Sequence, residues 1–367
     1  MSNRECSYKV SLEGLKIVDQ FRLQKGWKKI DSQWLNRANV SRSTLKRFWN
    51  GNHLQPDTFT GICRAVGIED YDCVAEAPNS FRSIEHDQRQ AFFVTDSPIH
   101  RPQLFFGRHY EIRHILQLLS GYPLQNAAIV GQRRSGKTSL LKHLVEITKV
   151  PGQALRPNQP PECRSFPTQL NWILIDFQNI YYQSLKNLVH YLLVKMGLPS
   201  NGETQLEDCI QLMSERLSVP TVILFDEIES AFHQQSELDD RFWNSLRFLQ
   251  QNNGNLAFVL SSSTDLKHFA RKNIESSSFF DIFGYQATLG PLTEAEARQL
   301  ILTSPIPFSR DDIDYILTYS QCWPVLVQLF CRERLFTLEA GDNSDSWRVT
   351  VLQHMHTYRH LLNEDYS

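Results

Sequence analysis

The sequence predicts an α/β protein, a doubly wound parallel sheet with a helical lid, preceded by a small all-α domain. Three observations carry this expectation. Between residues 111 and 260, short apolar, β-rich runs alternate with amphipathic stretches of helical period, the pattern of strand–helix–strand crossovers in a parallel sheet. Residues 9 to 75 have a helical texture with few breakers. From Leu292 onward the strand signals stop and helix-start signals replace them. The chain thus divides into a helical domain at 1–77, a linker at 78–104, a core at 105–290, and a lid with further C-terminal helices at 291–367.

In the first domain, residues 34–49 have the spacing of a helix-turn-helix. Asn39 suits the left-handed turn position, Ser41 suits the N-cap of the second helix, and Val40, Leu45 and Phe48 recur on one side. That leaves Arg42, Ser43, Lys46 and Arg47 on the outer face. Gly51 ends this helix and Pro56 opens another, whose buried face is Phe59, Ile62, Cys63 and Val66. From Arg22 to Arg47 the stretch also holds Lys25, Lys28, Lys29, Arg37, Arg42 and Lys46, opposed by Asp31 alone. Such a face suits a helix laid in a major groove with flanking phosphate contacts. A solvated basic surface, or a helix pair that docks a protein, fits the same residues. Residues 76–102 then turn polar, with Pro78, Pro98 and Pro102, and read as a linker.

In the core, predicted helices at 111–119, 138–147, 185–196, 206–217 and 241–251 alternate with predicted strands at 127–130, 172–177, 221–225 and 256–260. The Pro-rich residues 151–167 interrupt the series and read as a surface loop. Gly131-Gln132-Arg133-Arg134-Ser135-Gly136-Lys137-Thr138 matches GxxxxGK[ST] between the first strand and the helix that Ser139 continues. Backbone N–H groups of such a loop close on phosphate oxygens, and the helix N-terminus adds its partial positive charge. Residues 131–139 are therefore the candidate nucleotide cradle, with Lys137 at the β/γ-phosphates and Thr138 on Mg²⁺. The apolar run at 221–225 ends in Asp226-Glu227. Alone, two acids after a strand read as a solvated turn; behind the phosphate loop they read as a Walker B pair. Asp226 would hold Mg²⁺, directly or through water, and Glu227 would orient the water that attacks the γ-phosphate. The fold class is accordingly a P-loop NTPase, with ATP and Mg²⁺ as the implied cofactors.

The lid opens at Thr293, the N-cap of a capping box completed by Glu296, and continues with helical stretches at 311–319 and 324–338. His354, His356 and His360 have no companion cysteine or acidic cluster and read as a helical surface, not a metal site. A hydrophobic fraction of 41% and a charged fraction of 21% fit a soluble globular protein of two or three domains. The net charge of -2 gives no global push toward nucleic acid, so such binding would rest on a local patch. The 7 cysteines are scattered without a CxxC pair, as in reduced cytoplasmic proteins. No apolar run approaches the roughly 20 residues of a membrane span, and the polar start is no signal peptide. A cytoplasmic location without membrane contact is expected.

Residues 44–49, TLKRFW, resemble the core of a repressor-type (Cro/C1-like) helix-turn-helix found ahead of ATPase modules in cyanobacterial signalling and conflict proteins. Phe105-Phe106-Gly107-Arg108, the RRSGKTSLL run from Arg133 to Leu141, Asp226-Glu227 and Leu289-Gly290-Pro291-Leu292-Thr293 resemble the STAND and archaeal-type ATPase branch of the AAA+ superclass. Together the two resemblances cover roughly residues 15–68 and 98–335. They imply that Gly107-Arg108 is a GR motif helping to seat the adenine side of the nucleotide, with His109 in place of the usual acidic residue. They imply further that Ser263 and Thr264 occupy the sensor 1 position, where a polar side chain reads the γ-phosphate. Pro324 would be the proline of the lid's GxP motif, resting against the nucleotide, with Cys322 where glycine is usual. Arg271 lies where ring-forming relatives place a trans-acting arginine, although a surface arginine is the plainer reading.

The readings converge on an ATP-binding and ATP-hydrolysing switch whose nucleotide state sets lid position or self-association. Double-stranded DNA is the expected partner of the first domain, with a homo-oligomer in the ATP state and a protein effector as further partners. Two other classes fit the same motifs: a nucleotide-stabilised scaffold that docks proteins, and a mobile-element ATPase that assembles on target DNA.

Overall fold

The computed structural model describes residues 8–10, 12–68, 74–76, 92–149, 170–200, 202–232, 236–266 and 278–362. The expected loop at 151–167 and the candidate Arg271 lie outside the described residues. The chain divides into two units, residues 1–90 and 91–367.

The first unit comprises β1 (Lys9–Val10), α1 (Leu12–Gln24), α2 (Ser32–Ala38), α3 (Arg42–Trp49), α4 (Pro56–Val66) and β2 (Ala75–Glu76). Caps set the helix boundaries. The Asp31 carboxylate accepts from the Gln33 amide at 2.9 Å, Asn39 takes φ 50 at the end of α2, and Ser41 Oγ accepts from the Thr44 amide at 3.1 Å to start α3. Trp34, Leu45, Phe48, Phe59, Ile62 and Val66 are fully buried, and the Trp34 indole donates to the Ile62 carbonyl at 3.1 Å. β1 and β2 pair antiparallel, a ribbon too short to carry an alternating pattern in the sequence. Arg22 leaves the expected basic face: it is buried, pairs with Asp19 at 2.8 Å and donates to the Trp27 carbonyl.

The second unit contains α5 (His109–Ser120), β3 (Ala127–Val130), α6 (Lys137–Lys149), β4 (Asn171–Asp176), α7 (Leu185–Lys195), α8 (Leu206–Arg216), β5 (Thr221–Asp226), α9 (Asp240–Asn252), β6 (Leu256–Ser262) and β7 (Tyr285–Thr288). Its sheet runs β4-β5-β6-β3-β7 with every pair parallel. β3, β5 and β6 are buried throughout because helices cover both faces. Ala128, Ile223, Phe225, Phe258 and Leu260 face a core built with α7, α8 and α9. Their strand neighbours Ala127, Val222, Leu224, Ala257 and Val259 face α5 and α6. β7 has no apolar run for the sequence to reveal: it is an edge strand with Ala287 as its one buried residue.

The lid consists of α10 (Glu294–Ile301), α11 (Arg310–Ser320), α12 (Pro324–Glu339) and α13 (Ser346–His354), packed around Ile316, Leu326, Phe330 and Trp347. Capping boxes open α10 at Thr293/Glu296 and α11 at Ser309/Asp312. Asp312 also meets Arg334 of α12 at 3.0 Å, with side-chain exposures of 2% and 7%. Breaking a pair this buried strands one charge, at a cost of about 3–5 kcal/mol. Asp312→Ala is expected to lose that much on urea unfolding of the full chain, and wild-type stability would show the pair to be neutral.

Residues 92–104, expected as the end of a linker, belong to this unit as a strap. Phe93 is buried in the lid core, whereas Ile99 is buried against the sheet. The Val94 amide donates to Gln328 Oε1 at 2.7 Å and the Ile99 amide to Ser139 Oγ at 3.1 Å. Among the described residues, no helix is long and apolar enough to cross a membrane.

Candidate active site

The carboxyl ends of β3, β5 and β6 meet where the chain leaves β3 for a distant strand, the switch point at which open α/β sheets form a crevice. The Gly131 amide donates to the Ser262 carbonyl at 3.1 Å, joining the phosphate loop to the end of β6. Gly136 sits at φ 100, which side-chain-bearing residues rarely adopt, and so lets the loop turn into α6. Lys137 begins α6 and is 4% exposed; its Nζ reaches back over the loop to donate to the carbonyls of Gly131 at 2.9 Å and Gln132 at 3.3 Å. Ser135 Oγ is buried without a partner, a polar atom that a phosphate oxygen would satisfy.

Ser261, near the end of β6, organises the acidic pair. Its hydroxyl donates to Asp226 Oδ1 at 2.5 Å and accepts from the Glu227 amide at 3.0 Å. Burial pushes the Asp226 carboxyl up; hydrogen bonds from Ser261 and Thr138 oppose this, the nearby Asp176 charge adds to it, and Lys137 opposes it. Glu227 adopts φ 51, an uncommon conformation for glutamate and the kind of local strain found at functional sites. Burial raises its carboxyl as well, with Lys137 as the main counterweight. A buried carboxylate beside a threonine hydroxyl fits Mg²⁺, which binds through one or two carboxylates and completes its shell with water and phosphate oxygens. Among the described residues, no group of three or more His, Cys, Asp or Glu is placed to hold a metal ion. His354 instead faces Glu333 at 3.5 Å, and His360 Nε2 lies 3.3 Å from the Arg133 carbonyl.

A cavity of about 310 Å³ opens beside these groups, lined by Arg133 to Ser139, Glu227, Arg108, Gln178 and Pro324. Its volume is within the usual range of ligand pockets, about 300–1,000 Å³. Val94, Ile99 and Leu104 of the strap, with Leu292 and Val325 of the lid, supply an apolar wall. Pro324 stands at the first turn of α12 and reaches the cavity although the residue two before it is Cys322. Cys322 takes the glycine-like φ of 58 and its carbonyl accepts from the Leu292 amide at 2.9 Å. Gln132 contributes to the loop through its carbonyl, and its side chain is exposed.

Arg108, Ser263 and Thr264 are held by protein groups in the structure. Arg108 lines the cavity, but its guanidinium is engaged by main-chain carbonyls: Ser135 at 3.3 Å, Pro291 at 3.5 Å and Gly290. It braces the phosphate loop against the start of the lid. Gly107 beside it takes φ 73, which side-chain-bearing residues rarely adopt, and a Cβ there would displace the Leu292 and Glu296 side chains. Ser263 and Thr264 are not in the cavity wall. The Ser263 amide donates to Glu229 Oε1, as does its hydroxyl at 2.8 Å, and Thr264 is exposed. The polar group that reaches the acidic pair is Ser261, two residues earlier, within the strand. Its signal in the sequence is that it is the first polar residue after the apolar run of β6.

Residues 124–269 match the AAA domain family. The chain is also similar to the Walker-type ATPase of Pyrococcus abyssi over 72% of this chain and 75% of that one, with a TM-score of 0.52 and 17% identity. The ORC2 protein of Aeropyrum pernix, solved as ADPNP and ADP complexes, aligns over 73% of this chain and 72% of that one, with a TM-score of 0.53 and 13% identity. The chain therefore shares the fold of these two proteins over most of its length. An uncharacterized WD repeat-containing protein of Nostoc sp. is 24% identical over 170 residues, which are 39% of this chain. The chain spans 14% of that relative's length.

Proposed function

We propose that this protein is an ATP-binding and ATP-hydrolysing switch of the STAND type whose first unit binds duplex DNA in a nucleotide-dependent manner. The observation that carries the catalytic part is the convergence of Lys137, Thr138 and Glu227 on one cavity, with Asp226 immediately before Glu227 at the end of β5. Lys137 binds the β/γ-phosphates, the loop amides and Ser135 hold phosphate oxygens, and Glu227 orients the attacking water. Mg²⁺ on Thr138 and Asp226 supplies charge neutralisation of the phosphates when bound. Pro324 and the lid close the cavity on its apolar side. A structural neighbour solved with ADPNP and ADP supports nucleotide as the ligand.

The DNA part rests on α3. Arg42, Ser43, Lys46 and Arg47 are all exposed, while Leu45 and Phe48 anchor the opposite face. Lys29 lies 4.9 Å from the Trp49 ring centroid and Arg37 5.5 Å from that of Trp27, which holds further positive charge on this unit. The test is duplex binding by the full chain with no nucleotide, with ADP and with a non-hydrolysable ATP analogue, on wild type and on the double variant Arg42→Ala, Lys46→Ala. The double variant is expected to weaken binding and to shallow the salt slope by about one unit per lost phosphate contact. No binding to a genomic-fragment library at low salt in any nucleotide state would replace DNA with a docked protein as the partner.

A further inference from the structure

We propose that Arg133, inside the phosphate loop, supplies in cis the cationic group that offsets charge developing on the γ-phosphate, so that one copy of the chain holds a complete hydrolytic site. The inference rests on the ATPase reading above and goes beyond it. Two consecutive arginines occupy the loop, and the structure gives them different surroundings. Arg134 takes φ 69 and its guanidinium donates to the Thr95 carbonyl at 3.1 Å, which fastens the loop to the strap. Arg133 is exposed and lines the cavity with Lys137 and Glu227, and among the described residues its side chain has no hydrogen-bond or salt-bridge partner.

Its position along the loop points the same way. Lys137 Nζ is held by the carbonyls of Gly131 and Gln132, so the ammonium that meets the β/γ-phosphates lies under the two residues just before Arg133. The main chain at Arg133 is itself held, since His360 Nε2 lies 3.3 Å from its carbonyl. A planar, permanently charged donor that the fold leaves unpaired on the cavity wall it shares with Glu227 is suited to the equatorial phosphate oxygens. In the reaction, water adds to the γ-phosphorus as its bond to the β–γ bridging oxygen breaks. That oxygen leaves on ADP with the electron pair, the attacking water's proton passes through the Glu227 carboxylate to the phosphate product, and Arg133 stays protonated throughout.

The experiment compares wild type, Arg133→Ala and Arg133→Lys as full chains in single-turnover γ-phosphate release with ATP and Mg²⁺, with ADP affinity measured by calorimetry on each. Arg133→Ala is expected to slow release by about 10³-fold, the lower end of what an arginine at a transferring phosphoryl group contributes. Its ADP affinity should stay within a few-fold of wild type, because the group acts on the phosphate that ADP lacks. Arg133→Lys recovers part of the rate, keeping the charge without the planar fork. The wild-type rate per chain should be constant on dilution. Release by Arg133→Ala at the wild-type rate overturns the proposal, as does a rate per chain that rises with protein concentration, which would place the arginine on a second copy. A wild-type chain that binds ATP without turning it over overturns the assignment of Arg133 and leaves nucleotide binding standing; a chain that binds no ATP overturns both.

Discussion

Lys137→Ala is expected to abolish most of the ATP affinity while leaving the fold intact. Lys137 is the one cation at the start of α6, and its Nζ is already held over the loop by two carbonyls. Ligand phosphates then meet a pre-positioned ammonium, at little entropic cost for ordering the side chain. Arg134 cannot substitute, because its guanidinium is tied to the strap. Losing one partner of a buried, hydrogen-bonded charge pair costs about 2–5 kcal/mol, which is about 30- to 4,000-fold in Kd at ~1.4 kcal/mol per tenfold. The variant also removes the main opposing charge from the Glu227 carboxyl and one of those acting on Asp226, so both carboxyls should rise further. Calorimetry with ATP and Mg²⁺ checks the affinity, and circular dichroism checks the fold. Wild-type affinity in a folded Lys137→Ala chain would remove the loop from consideration as the nucleotide site.

Glu227→Gln is expected to separate binding from turnover. The Glu227 amide is anchored by Ser261 Oγ at 3.0 Å, so the side chain projects from a fixed point at the carboxyl end of β5. Glutamine keeps the size and can take the same φ of 51, but it cannot accept a proton or orient water as a carboxylate does. Loss of a positioned base typically slows a reaction by about 10²- to 10⁴-fold. ATP should remain bound, because Lys137 and the loop amides are untouched, and the variant should accumulate the ATP state. Filter binding of radiolabelled ATP beside phosphate release reads both quantities. Unchanged release would assign the water to another group.

Much of the second unit was legible because its elements are long, strongly patterned and bounded by caps. The strand at 127–130, the carboxylates at 226 and 227 and the capping box at Thr293 all stand where local rules put them. Each is governed by chemistry that adjacent residues settle: apolar runs for buried strands, a hydroxyl and a carboxylate three residues apart for a cap. β7 was not legible, since an edge strand of four residues is held in place by its neighbour β3 more than by its own apolar pattern. The strap is hidden in the sequence for a related reason. Its prolines and polar residues resemble a linker, and only the lid and sheet that receive Phe93 and Ile99 make it part of the core.

The candidate site divides in the same way. By itself the sequence determined where the candidate phosphate loop lies, because such a loop is contiguous and is marked by local backbone and one lysine. It also determined that a carboxylate pair ends a buried strand. Tertiary structure alone decided how the polar groups around that chemistry are allotted. It gave Ser261, not Ser263 or Thr264, to the acidic pair, turned Arg108 onto three carbonyls, and tied Arg134 to the strap while leaving Arg133 on the cavity. The physical reason is that hydroxyls and guanidiniums bond with whatever packing brings within about 3 Å. Partners 27 to 183 residues away along the chain leave no trace in local pattern.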